Sequence, residues 1–482
     1  MNPAYPEQSR RDGVLDSGFL IRLWELVSEL RSLMPKAHVI GLGKSGVAAA
    51  QLLKRKGWRV TASDRGTSDS LQRQQQQLTE QDIPVSLETS FAPEANTDLA
   101  LLVVSPGVPW DLPNLERSRE LGIETIGEME LAWRHLQSCP WVGITGTNGK
   151  TTTTALTAAI FQAAGHNTPA CGNIGNAACE LALSQANGEP PLDWIVAEIS
   201  SYQIESSNSI TPRIGVWTTF TADHLNRHKT LENYYNIKAK LLKASELQVF
   251  NGDDPYLRSV ASQWPNAYWT STTNEAALKP FAYLDGDAVM VDGEKILSVS
   301  ALKMPGSHNR QNLLMSVTAA RLAGIDAEAI AHAIATFPGV PHRLEVLGSR
   351  DGVQFVNDSK ATNYDAALVG LASVASPAVL IAGGEPKEGD AIAWLHKIQE
   401  KAAFVLLIGE AASLFAQKLD SVGYSDYEIV ETMERAVMRS REITPKYDAA
   451  TVLLSPACAS FDQFPNFEVR GDRFRQLCQE FL

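Results

Sequence analysis

A Gly-Lys-Thr sequence that stands between an apolar strand and a helix gives the clearest sign of chemistry. The run "WVGITG", residues 141–146, predicts a buried strand, and Thr-Asn-Gly-Lys-Thr follows it directly. In such a loop, backbone N–H groups cradle phosphates, Lys150 can reach the β- and γ-phosphates, and the Thr151 hydroxyl can hold Mg²⁺. The usual pattern has a further glycine at position 144, where this chain has Ile144. The part that contacts phosphate is intact, so the sequence predicts a nucleotide phosphate site.

Two side chains with metal-ligand chemistry follow other apolar runs. Glu198 ends "WIVAE", and His224 ends "TTFTADH". Because parallel strands present their carboxyl ends at one edge of a sheet, both side chains can lie beside the phosphate loop and hold a metal. Each also has a structural interpretation, Glu198 as a cap or ion-pair partner and His224 as a hydrogen-bonded polar side chain. The phosphate loop upstream favours the functional interpretation of both.

Three lysines lie within the helix predicted over "NYYNIKAKLLKAS". They are Lys238, Lys240 and Lys243. Lysine side chains are almost always solvated unless they are paired. Spacing alone therefore predicts surface lysines at all three positions.

A second glycine-rich turn, Gly41-Leu-Gly-Lys-Ser-Gly46, lies upstream of the first. It follows the apolar run "AHVI" and precedes a helix, and Asp64 ends the next predicted strand. These features are typical of a dinucleotide-binding turn, in which glycines let the backbone approach a diphosphate at a helix N-terminus. Three interpretations stay open on this evidence: a nicotinamide cofactor, another diphosphate compound such as a nucleotide sugar, and a tight turn without a ligand.

Composition argues against several classes of protein. The 482 residues are 44% hydrophobic and 20% charged, which is typical of a globular protein with more than one domain. A net charge of −13 gives no overall attraction to nucleic acid or to an anionic membrane. Five scattered cysteines without a C-x-x-C pair argue against disulfides and structural zinc and favour a reducing compartment. No apolar run is long enough to span a membrane, and "FLIRLWELVSELRSLM" predicts an amphipathic helix rather than a secretory signal.

Predicted strands and helices alternate along three segments of the chain. The first contains the strands "AHVIGLG", "WRVTASD" and "LALLVVSPG". The second contains "WVGITG", "DWIVAEIS", "IGVWTTF" and "LQVFNGDD", and the third, after a linker at residues 338–341, contains "VQFVNDS", "PAVLIAGG", "AFVLLIGE" and "ATVLLSPA". Such alternation predicts an α/β protein built on parallel sheets.

Several segments together resemble the ATP-dependent Mur ligases of peptidoglycan synthesis. They are "GITGTNGKTTT", "AEISSYQIE", "TADHLNRH", "GSHNRQN", "PHRLE", "NDSKATN" and "LLSPACASFDQFPNFEVRGDRF". The resemblance extends from residue 34 to residue 482. Within the family, "NDSKATN" is similar to the members that add D-glutamate, whereas members that add other amino acids usually carry an Asp-Tyr-Ala-His pattern there. The resemblance implies that the first loop holds the uridine diphosphate of a substrate and that the second holds ATP.

The resemblance also implies three α/β domains: Rossmann-like at the N-terminus, a P-loop-type ATPase in the centre, and Rossmann-like at the C-terminus. The expected boundaries are an extension at 1–34, a UDP-substrate-binding domain at 35–133, an ATP-binding domain at 134–340 and an amino-acid-binding domain at 341–482. Residues 1–33 are expected to lie outside the core fold, either as an extension or because Met34 is the natural start.

Family roles carry over first to residues that act on ATP and metal. The ATP-binding residues implied are Gly146, Thr147, Asn148, Gly149, Lys150, Thr151, Thr152, Asn309, Asn312, Arg343 and Asp358. Catalytic roles fall on Lys150, Glu198, His224 and Lys240. The metal, Mg²⁺ with Mn²⁺ as a substitute, would be held by Thr151, Glu198, His224 and Lys240. Lys240 aligns with a lysine that CO₂ carbamylates, which would give this hard cation an oxygen ligand.

Family roles carry over next to the residues that hold the other substrates. Those implied for the UDP-linked substrate are Leu42, Lys44, Asp64, Arg65, Ser105, Pro106, Gly107 and Asn173. Those implied for D-glutamate are Lys360, Thr362, Lys387, Ser460 and Phe467.

The function that the resemblance implies is an ATP-dependent ligase that adds D-glutamate to UDP-N-acetylmuramoyl-L-alanine through an acyl phosphate, with release of ADP. The setting implied is the cytoplasm, in the precursor synthesis on which cell wall, cell shape and cell division depend. A monomer is expected, without nucleic acid partners or membrane insertion. The alternatives are a related Mur or folylpolyglutamate-type ligase with another amino acid, a nucleotide-binding regulator without turnover, and a nicotinamide oxidoreductase, which leaves the second loop unused.

Overall fold

The structure, a computed structural model, describes residues 34–274, 278–304, 306–386 and 389–480. The amphipathic helix predicted near the N-terminus and the predicted site residue Lys387 lie outside the described residues. The chain packs as two compact units. Of the described residues, the first unit contains those up to 137 together with 177–190 and 205–209, and the second contains 138–176, 191–204 and those from 210 onward.

Helices and strands alternate through the described chain. The strands are β1 (Lys36–Ile40), β2 (Arg59–Ser63), β3 (Val85–Ser86), β4 (Leu101–Val104), β5 (Glu124–Gly127), β6 (Trp141–Thr145), β7 (Ala170–Gly172), β8 (Ile195–Glu198), β9 (Ile214–Trp217), β10 (Leu247–Asn251), β11 (Tyr268–Ser271), β12 (Ala282–Asp285), β13 (Ala288–Val291), β14 (Glu294–Ser298), β15 (Glu345–Arg350), β16 (Val353–Asn357), β17 (Ala378–Gly383), β18 (Ala402–Ile408), β19 (Tyr427–Glu431) and β20 (Thr451–Leu454). The helices are α1 (Lys44–Arg55), α2 (Asp69–Glu80), α3 (Pro113–Glu120), α4 (Glu128–Leu136), α5 (Lys150–Ala163), α6 (Ala178–Ala186), α7 (Ser201–Glu205), α8 (Leu225–His228), α9 (Leu231–Ala244), α10 (Pro255–Ser259), α11 (Ser307–Leu322), α12 (Ala327–Thr336), α13 (Tyr364–Ala372), α14 (Ile392–Lys401), α15 (Ala412–Ser421), α16 (Met433–Lys446) and α17 (Phe467–Gln479).

The first unit is built on a parallel sheet with the strand order β3-β2-β1-β4-β5. The glycine-rich turn leads from β1, the central strand, into α1. A side chain has no room at Gly46, because a Cβ atom there would lie 1.8 Å from the carbonyl oxygen of Gly41. This strand order and this turn are those of a Rossmann-like fold, which confirms the fold predicted for the region.

The larger sheet of the second unit has the order β14-β13-β12-β11-β10-β9-β6-β8-β7. Its strands run parallel from β7 to β12, and β13 and β14 extend the sheet as antiparallel strands. Strand β6 lies between β8 and β9, so the phosphate loop, Glu198 and the segment that leads to His224 all leave one edge of the sheet. The predicted strands of this segment are confirmed, whereas the antiparallel extension was not predicted.

The third sheet, also in the second unit, has the order β15-β16-β20-β17-β18-β19 and is parallel apart from β15. The carboxyl ends of β16, β20 and β17 are neighbours. The segments "NDSKATN" and "SPACAS" follow the first two of these strands, so topology alone brings them together. In the described part of the chain, no helix has the length and apolar character needed to cross a membrane.

Candidate active site

The phosphate loop is packed too closely for side chains at its two glycines. A Cβ atom at Gly146 would lie 2.0 Å from the Thr218 hydroxyl, and one at Gly149 would lie 2.7 Å from Oδ1 of Asn312. Both glycines have positive φ angles, of 149° and 83°, a region that suits glycine. The loop is also tied to the segment after β9, because the backbone N–H groups of Thr147 and Asn148 donate to Thr219.

Lys150 begins α5 and folds back over the loop. Its ammonium donates hydrogen bonds to the carbonyl oxygens of Gly146, at 3.0 Å, and Thr147, at 2.7 Å. Burial lowers the pKa of Lys150, although the carboxylates of Glu198 and Asp223 partly oppose that effect. A cation held directly above a phosphate loop is the arrangement that binds and stabilises a transferring phosphoryl group.

Glu198 is buried at the end of β8 and is held by two side chains that the sequence analysis selected. The Thr151 hydroxyl donates to one carboxylate oxygen, and the Asn173 amide donates to the other, both at 2.9 Å. Burial favours the protonated form, but Lys360 and Lys150 and these two hydrogen bonds outweigh burial, so the pKa of Glu198 lies below its usual value. Glu198 is therefore an ionised carboxylate beside the phosphate loop.

Lys360 extends the charged cluster to the third sheet. It follows β16 in the chain, and its ammonium lies 5.1 Å from the centre of the Phe467 ring. Burial lowers the pKa of Lys360 to about 8, while Glu198 acts in the opposite direction. The predicted ATP residue Lys150 and the predicted D-glutamate residue Lys360 thus act electrostatically on one carboxylate.

The backbone around Arg343, just after the linker at residues 338–341, is unusual. His342 and Leu344, on either side of Arg343, have φ angles of 63° and 47°, which non-glycine residues seldom adopt. The Leu344 N–H donates to Asp358, and Asn357 contacts the His342 ring at 3.1 Å. The buried Nε of Arg343 makes no hydrogen bond to any described residue. Strained backbone at such a site is consistent with a side chain held ready for a ligand.

Asp358 contacts the same segment, through the Leu344 N–H, and is almost fully buried. Burial raises its pKa to about 7, and Arg343, the Ser455 hydroxyl and the Leu344 N–H partly offset that effect. The Ser455 hydroxyl donates to Asp358 Oδ2 at 2.9 Å. The structure therefore brings the predicted nucleotide residues Arg343 and Asp358 together.

The lysine that reaches the phosphate loop from α9 is Lys238, not Lys240. Lys238 is 1% exposed, and its ammonium donates to the carbonyl oxygen of Gly146 at 2.8 Å. Burial and the neighbouring Lys150 lower its pKa well below the usual value. Lys240 is exposed, two residues further along the helix. The structure thus does not bring Lys240 to the loop, because successive helical residues point about 100° apart.

His224 lies at the edge of a cleft of about 930 Å³ within the second unit. Its Nδ1 atom lies 3.1 Å from the Tyr202 hydroxyl, its Nε2 atom lies 3.5 Å from Asp223 Oδ2, and its backbone is left-handed. The other lining residues include Thr221, Asp365 and Asp390. Across the described residues, no group of three or more His, Cys, Asp or Glu side chains is arranged to hold a metal ion.

Asn309 and Asn312, which the family resemblance implies lie near the adenine of ATP, are neighbours on one face of α11. Asn312 is buried and donates to Asn309 Oδ1 at 3.2 Å, while its own Oδ1 accepts from the Thr153 hydroxyl at 3.2 Å. The adjacent Thr152 hydroxyl is buried without a hydrogen bond to any described residue. The Asn312 amide therefore packs against the phosphate loop at Gly149.

In the first unit, the predicted uridine diphosphate residues gather at the carboxyl edge of the sheet. Both carboxylate oxygens of Asp64 accept backbone hydrogen bonds at 2.8 Å, from Leu42 and Gly66. Ser105 donates to the Gly41 carbonyl and begins the turn that contains Pro106 and Gly107.

The other residues predicted for the UDP-linked substrate are Lys44, Arg65 and Asn173. Lys44 lies 3.4 Å from Glu180 on α6, and Arg65 is exposed. Asn173, predicted for the same substrate, belongs to the second unit and contacts Glu198.

The predicted D-glutamate residues of the described chain lie around the ends of β16 and β20. Ser460 is buried, and its carbonyl accepts from Phe464 at 2.8 Å. Phe467 begins α17, and its carbonyl accepts from the Ser359 hydroxyl at 2.8 Å. Thr362 is half-buried in the segment after β16.

Comparisons with known proteins cover nearly the whole chain. Residues 35–127 match the model "Mur ligase MurD-like, N-terminal domain", residues 144–320 match "Mur ligase middle domain", and residues 342–458 match "Mur ligase, glutamate ligase domain". The UDP-N-acetylmuramoylalanine–D-glutamate ligase of Nostoc punctiforme is 63% identical over an alignment of 481 residues, and that alignment covers 92% of this chain and 96% of that protein. The chain belongs to the Mur ligase family. The resemblance and the enzyme class predicted from sequence, an ATP-dependent ligase that forms an amide bond, are thereby confirmed.

Further relatives of this Mur ligase support the same family and fold. The enzyme of the same name from Trichodesmium erythraeum is 62% identical and covers 92% of this chain and 96% of its own length. Among solved structures, the UDP-N-acetylmuramate-alanine ligase MurC of Thermotoga maritima has a TM-score of 0.59 at 19% identity and covers 93% of this chain and 100% of that chain. A pseudomurein peptide ligase type C from Methanothermus fervidus has a TM-score of 0.59 at 18% identity, with 93% and 100% covered. These structures support the predicted three-domain α/β fold.

Two charged residues of this Mur ligase site were missed in the sequence analysis. Lys238 shares the buried face of α9 with Tyr234 and Leu241, at spacings of four and three residues. That spacing, applied to the individual lysines, would have distinguished Lys238 from Lys240. Asp223 acts on the pKa of Lys150 and of Lys238, and its place directly before His224 was the available signal.

Proposed function

We propose that this protein adds D-glutamate to UDP-N-acetylmuramoyl-L-alanine, with ATP converted to ADP and phosphate. One observation carries the proposal: Glu198 accepts a hydrogen bond from Thr151 at the ATP-type phosphate loop, and its charged neighbours are Lys150 from that loop and Lys360 from the amino-acid-binding segment. A site that joins a phosphorylated acid to an amino acid needs both segments in one place. The names of the relatives at 62–63% identity support D-glutamate as the amino acid.

The first chemical step in this proposal is phosphoryl transfer. An oxygen of the substrate's terminal carboxylate attacks the γ-phosphorus, the bond to the β,γ-bridging oxygen breaks, and ADP leaves with the bond's electron pair. Lys150 offsets the charge of the transferring group, and the loop's backbone N–H groups orient it. Asn309 and Asn312 supply amide groups on the adenine side of the loop.

The second step forms the amide. The neutral amine of D-glutamate attacks the acyl carbon, a tetrahedral intermediate forms, and phosphate leaves as the amine loses a proton. In this proposal, the Lys360 ammonium and the Ser460 hydroxyl donate charge-assisted hydrogen bonds to the carboxylates of the amino acid. Water must be kept out during this step, since the acyl phosphate would otherwise hydrolyse.

The residues present fit Mg²⁺, which the family generally uses. Glu198 is ionised, and the Thr151 hydroxyl already points at it, so oxygen ligands stand beside the phosphate loop. Mg²⁺ takes one or two protein carboxylates and completes its shell with water and phosphate oxygens, which suits a site without a full set of protein ligands. Thr151, Glu198 and His224 would hold it. When bound, the cation neutralises charge on the phosphate oxygens.

We further propose that the carbamylated lysine of the family falls on Lys238 rather than Lys240. Lys238 is buried against the loop, near a second ammonium, so its neutral amine is favoured. Attack of that amine on dissolved CO₂ forms an N–C bond and releases a proton to solvent. The resulting carbamate is an anion, which replaces repulsion from Lys150 by attraction.

The remaining proposals follow from the family. The first unit binds the UDP part of the substrate through Lys44, Arg65 and the turn at Ser105. The ligase acts in the cytoplasm, as a monomer, in peptidoglycan precursor synthesis. The domain boundaries at residues 35, 134 and 341 remain part of this proposal.

The decisive experiment measures ADP release with UDP-N-acetylmuramoyl-L-alanine and Mg²⁺, adding D-glutamate, L-glutamate, L-alanine or a diamino acid separately. The variant Lys150→Met, purified in parallel, controls for contaminating ATPase activity. We expect release with D-glutamate alone. Release with a different amino acid would leave a Mur ligase with another specificity, and no release from a folded protein that binds ATP would contradict the ligase proposal.

A further inference from the structure

Arg470 is one of the largest fully buried side chains of the described chain. It lies in the first turns of α17, is 1% exposed, and is surrounded by the loops that follow β16 and β20. Burial lowers the pKa of its guanidinium to about 10. Burying a charge is costly unless its donors are satisfied by hydrogen bonds, so the partners of this guanidinium are informative.

Each nitrogen of the Arg470 guanidinium donates to a loop that carries a predicted D-glutamate residue. Nε donates to the Ser359 hydroxyl at 3.0 Å, and Nη2 donates to the Ser359 carbonyl at 2.8 Å. Nη2 also donates to the Cys458 carbonyl at 3.1 Å, and Nη1 donates to the Ala459 carbonyl at 3.0 Å. The rigid fork of arginine fixes the geometry of such a set more firmly than a lysine could.

Two of these partners, Ser359 and Ala459, are adjacent in the chain to predicted D-glutamate contacts. Ser359 precedes Lys360, and Ala459 precedes Ser460. The Ser359 hydroxyl, which accepts from Arg470, in turn donates to the carbonyl of Phe467. One guanidinium therefore holds the two loops and the start of α17 in a single relative position.

A third loop is tied to the same group. The backbone of Glu385, just after β17, donates to the Ala459 carbonyl at 3.0 Å, the oxygen that Arg470 also contacts. A Cβ atom at Gly384 would lie 2.2 Å from that oxygen and 3.1 Å from Nη1 of Arg470, and Gly384 has a φ of 136°. The absence of a side chain at Gly384 therefore makes room for the Ala459 carbonyl and the Arg470 guanidinium.

We propose that Arg470 is a positioning residue that sets the affinity for the amino-acid substrate by fixing the loop of Lys360 against the loop of Ser460. This inference rests on the proposed function, because it takes those two loops as the D-glutamate pocket. Arg470 itself touches no substrate. Its loss lets the two loops move independently, which weakens binding of the amino acid while the phosphate loop and the first unit stay intact.

The test compares four variants by steady-state kinetics, with the KM of each substrate measured separately. Arg470→Met removes all donors at similar size, Arg470→Lys keeps the charge, and Ser359→Ala removes only the bridging hydroxyl. Arg473→Met is the matched control, since Arg473 lies on the same helix but contacts Glu434 at a partly exposed position.

We expect Arg470→Met to raise the KM for D-glutamate at least about tenfold while the KM values for ATP and the UDP substrate change less than about twofold. Arg470→Lys should restore part of that loss, and Ser359→Ala should give a smaller rise of the same selectivity. Arg473→Met should match the wild type in all three constants.

Three results separate the hypotheses. A folded Arg470→Met protein with an unchanged KM for D-glutamate, or with all three KM values raised alike, overturns the positioning role. If Arg470→Met does not fold, the selectivity of Ser359→Ala decides the matter in the same way. A wild-type protein that shows no D-glutamate-dependent turnover instead refutes the proposed function.

Discussion

The ammonium nitrogen of Lys238 lies 2.8 Å from the carbonyl oxygen of Gly146, within the phosphate loop. A second cation, Lys150, contacts the same oxygen at 3.0 Å. Two ammonium groups beside one loop repel each other, and burial strengthens that repulsion by lowering the effective dielectric. This arrangement favours a neutral or a modified Lys238.

Replacing Lys238 should therefore be far more harmful than replacing Lys240. We expect Lys238→Ala to lower kcat by about a hundredfold or more, the scale seen when one preorganised charged group is removed, and Lys240→Ala to leave kcat nearly unchanged. Carbon-13 NMR of protein equilibrated with labelled bicarbonate should show a carbamate signal that disappears in Lys238→Ala. A signal that persists there and disappears in Lys240→Ala would restore the position predicted from sequence.

Glu198 gives a prediction about the metal. Glu198→Gln keeps the size of the side chain and the hydrogen bonds it accepts through one oxygen, but removes the charge beside the loop. We expect kcat to fall by about a hundredfold or more and the Mg²⁺ concentration for half-maximal activity to rise. Activity titrated with Mg²⁺ and with Mn²⁺ measures both effects. An unchanged Mg²⁺ requirement would remove Glu198 from the ligand set.

Asp358 gives a prediction about pH and stability. Its pKa is about 7 in the folded protein because it is buried, whereas an aspartate in an unfolded chain titrates near about 3.9. Between these values the folded state holds the extra proton, so the free energy of unfolding falls as pH rises, by up to about 1.4 kcal/mol per pH unit. Asp358→Asn cannot ionise and should melt at a higher temperature than the wild type at pH 8, with a smaller difference at pH 5.

The control for that experiment is Asp351→Asn, at an exposed position whose side chain is 90% accessible. Its melting temperature should follow the wild type at both pH values. A stability difference between Asp358→Asn and the wild type that is equal at pH 5 and pH 8 would show that the Asp358 carboxyl does not retain its proton in the folded protein.

Lys44 gives a prediction for the first loop. It is largely exposed near Glu180, within the glycine-rich turn. Lys44→Met should raise the KM for the UDP substrate by about tenfold, as expected for one charge-assisted hydrogen bond to a diphosphate, without changing the KM for ATP. A larger effect on the KM for ATP would contradict the division of the two loops between two ligands.

Strand positions could be predicted from sequence, because apolar runs bounded by turns mark buried parallel strands. The two glycine-rich turns were placed correctly for the same reason: each lies between such a run and a helix. Strand β12 and the antiparallel strands β13 and β14 could not be predicted, since they are short and only partly buried. Nor could the packing of α6 with the first unit, which depends on tertiary contacts such as that between Cys179 and Glu128.

The position of a site residue could be predicted where the residue follows a strand, but not where it lies on a helix. Glu198 and Lys360 stand at strand ends, where topology dictates their neighbours. Lys238 depends on helical phase, and a displacement of two residues moves a side chain to another face. No pattern in the sequence indicated a role for Arg470. Its guanidinium donates to backbone carbonyl oxygens, and only the folded loops bring those oxygens together.

The most direct test of the central claim follows the carboxylate oxygens of the UDP substrate. UDP-N-acetylmuramoyl-L-alanine with oxygen-18 at both oxygens of its terminal carboxylate is incubated with ATP, Mg²⁺ and D-glutamate. The masses of the products are then measured by mass spectrometry. An acyl phosphate predicts one oxygen-18 atom in the released phosphate and the other in the new amide, with one D-glutamate joined per ADP formed. Phosphate without oxygen-18, or ADP formed without the D-glutamate adduct, would contradict the account.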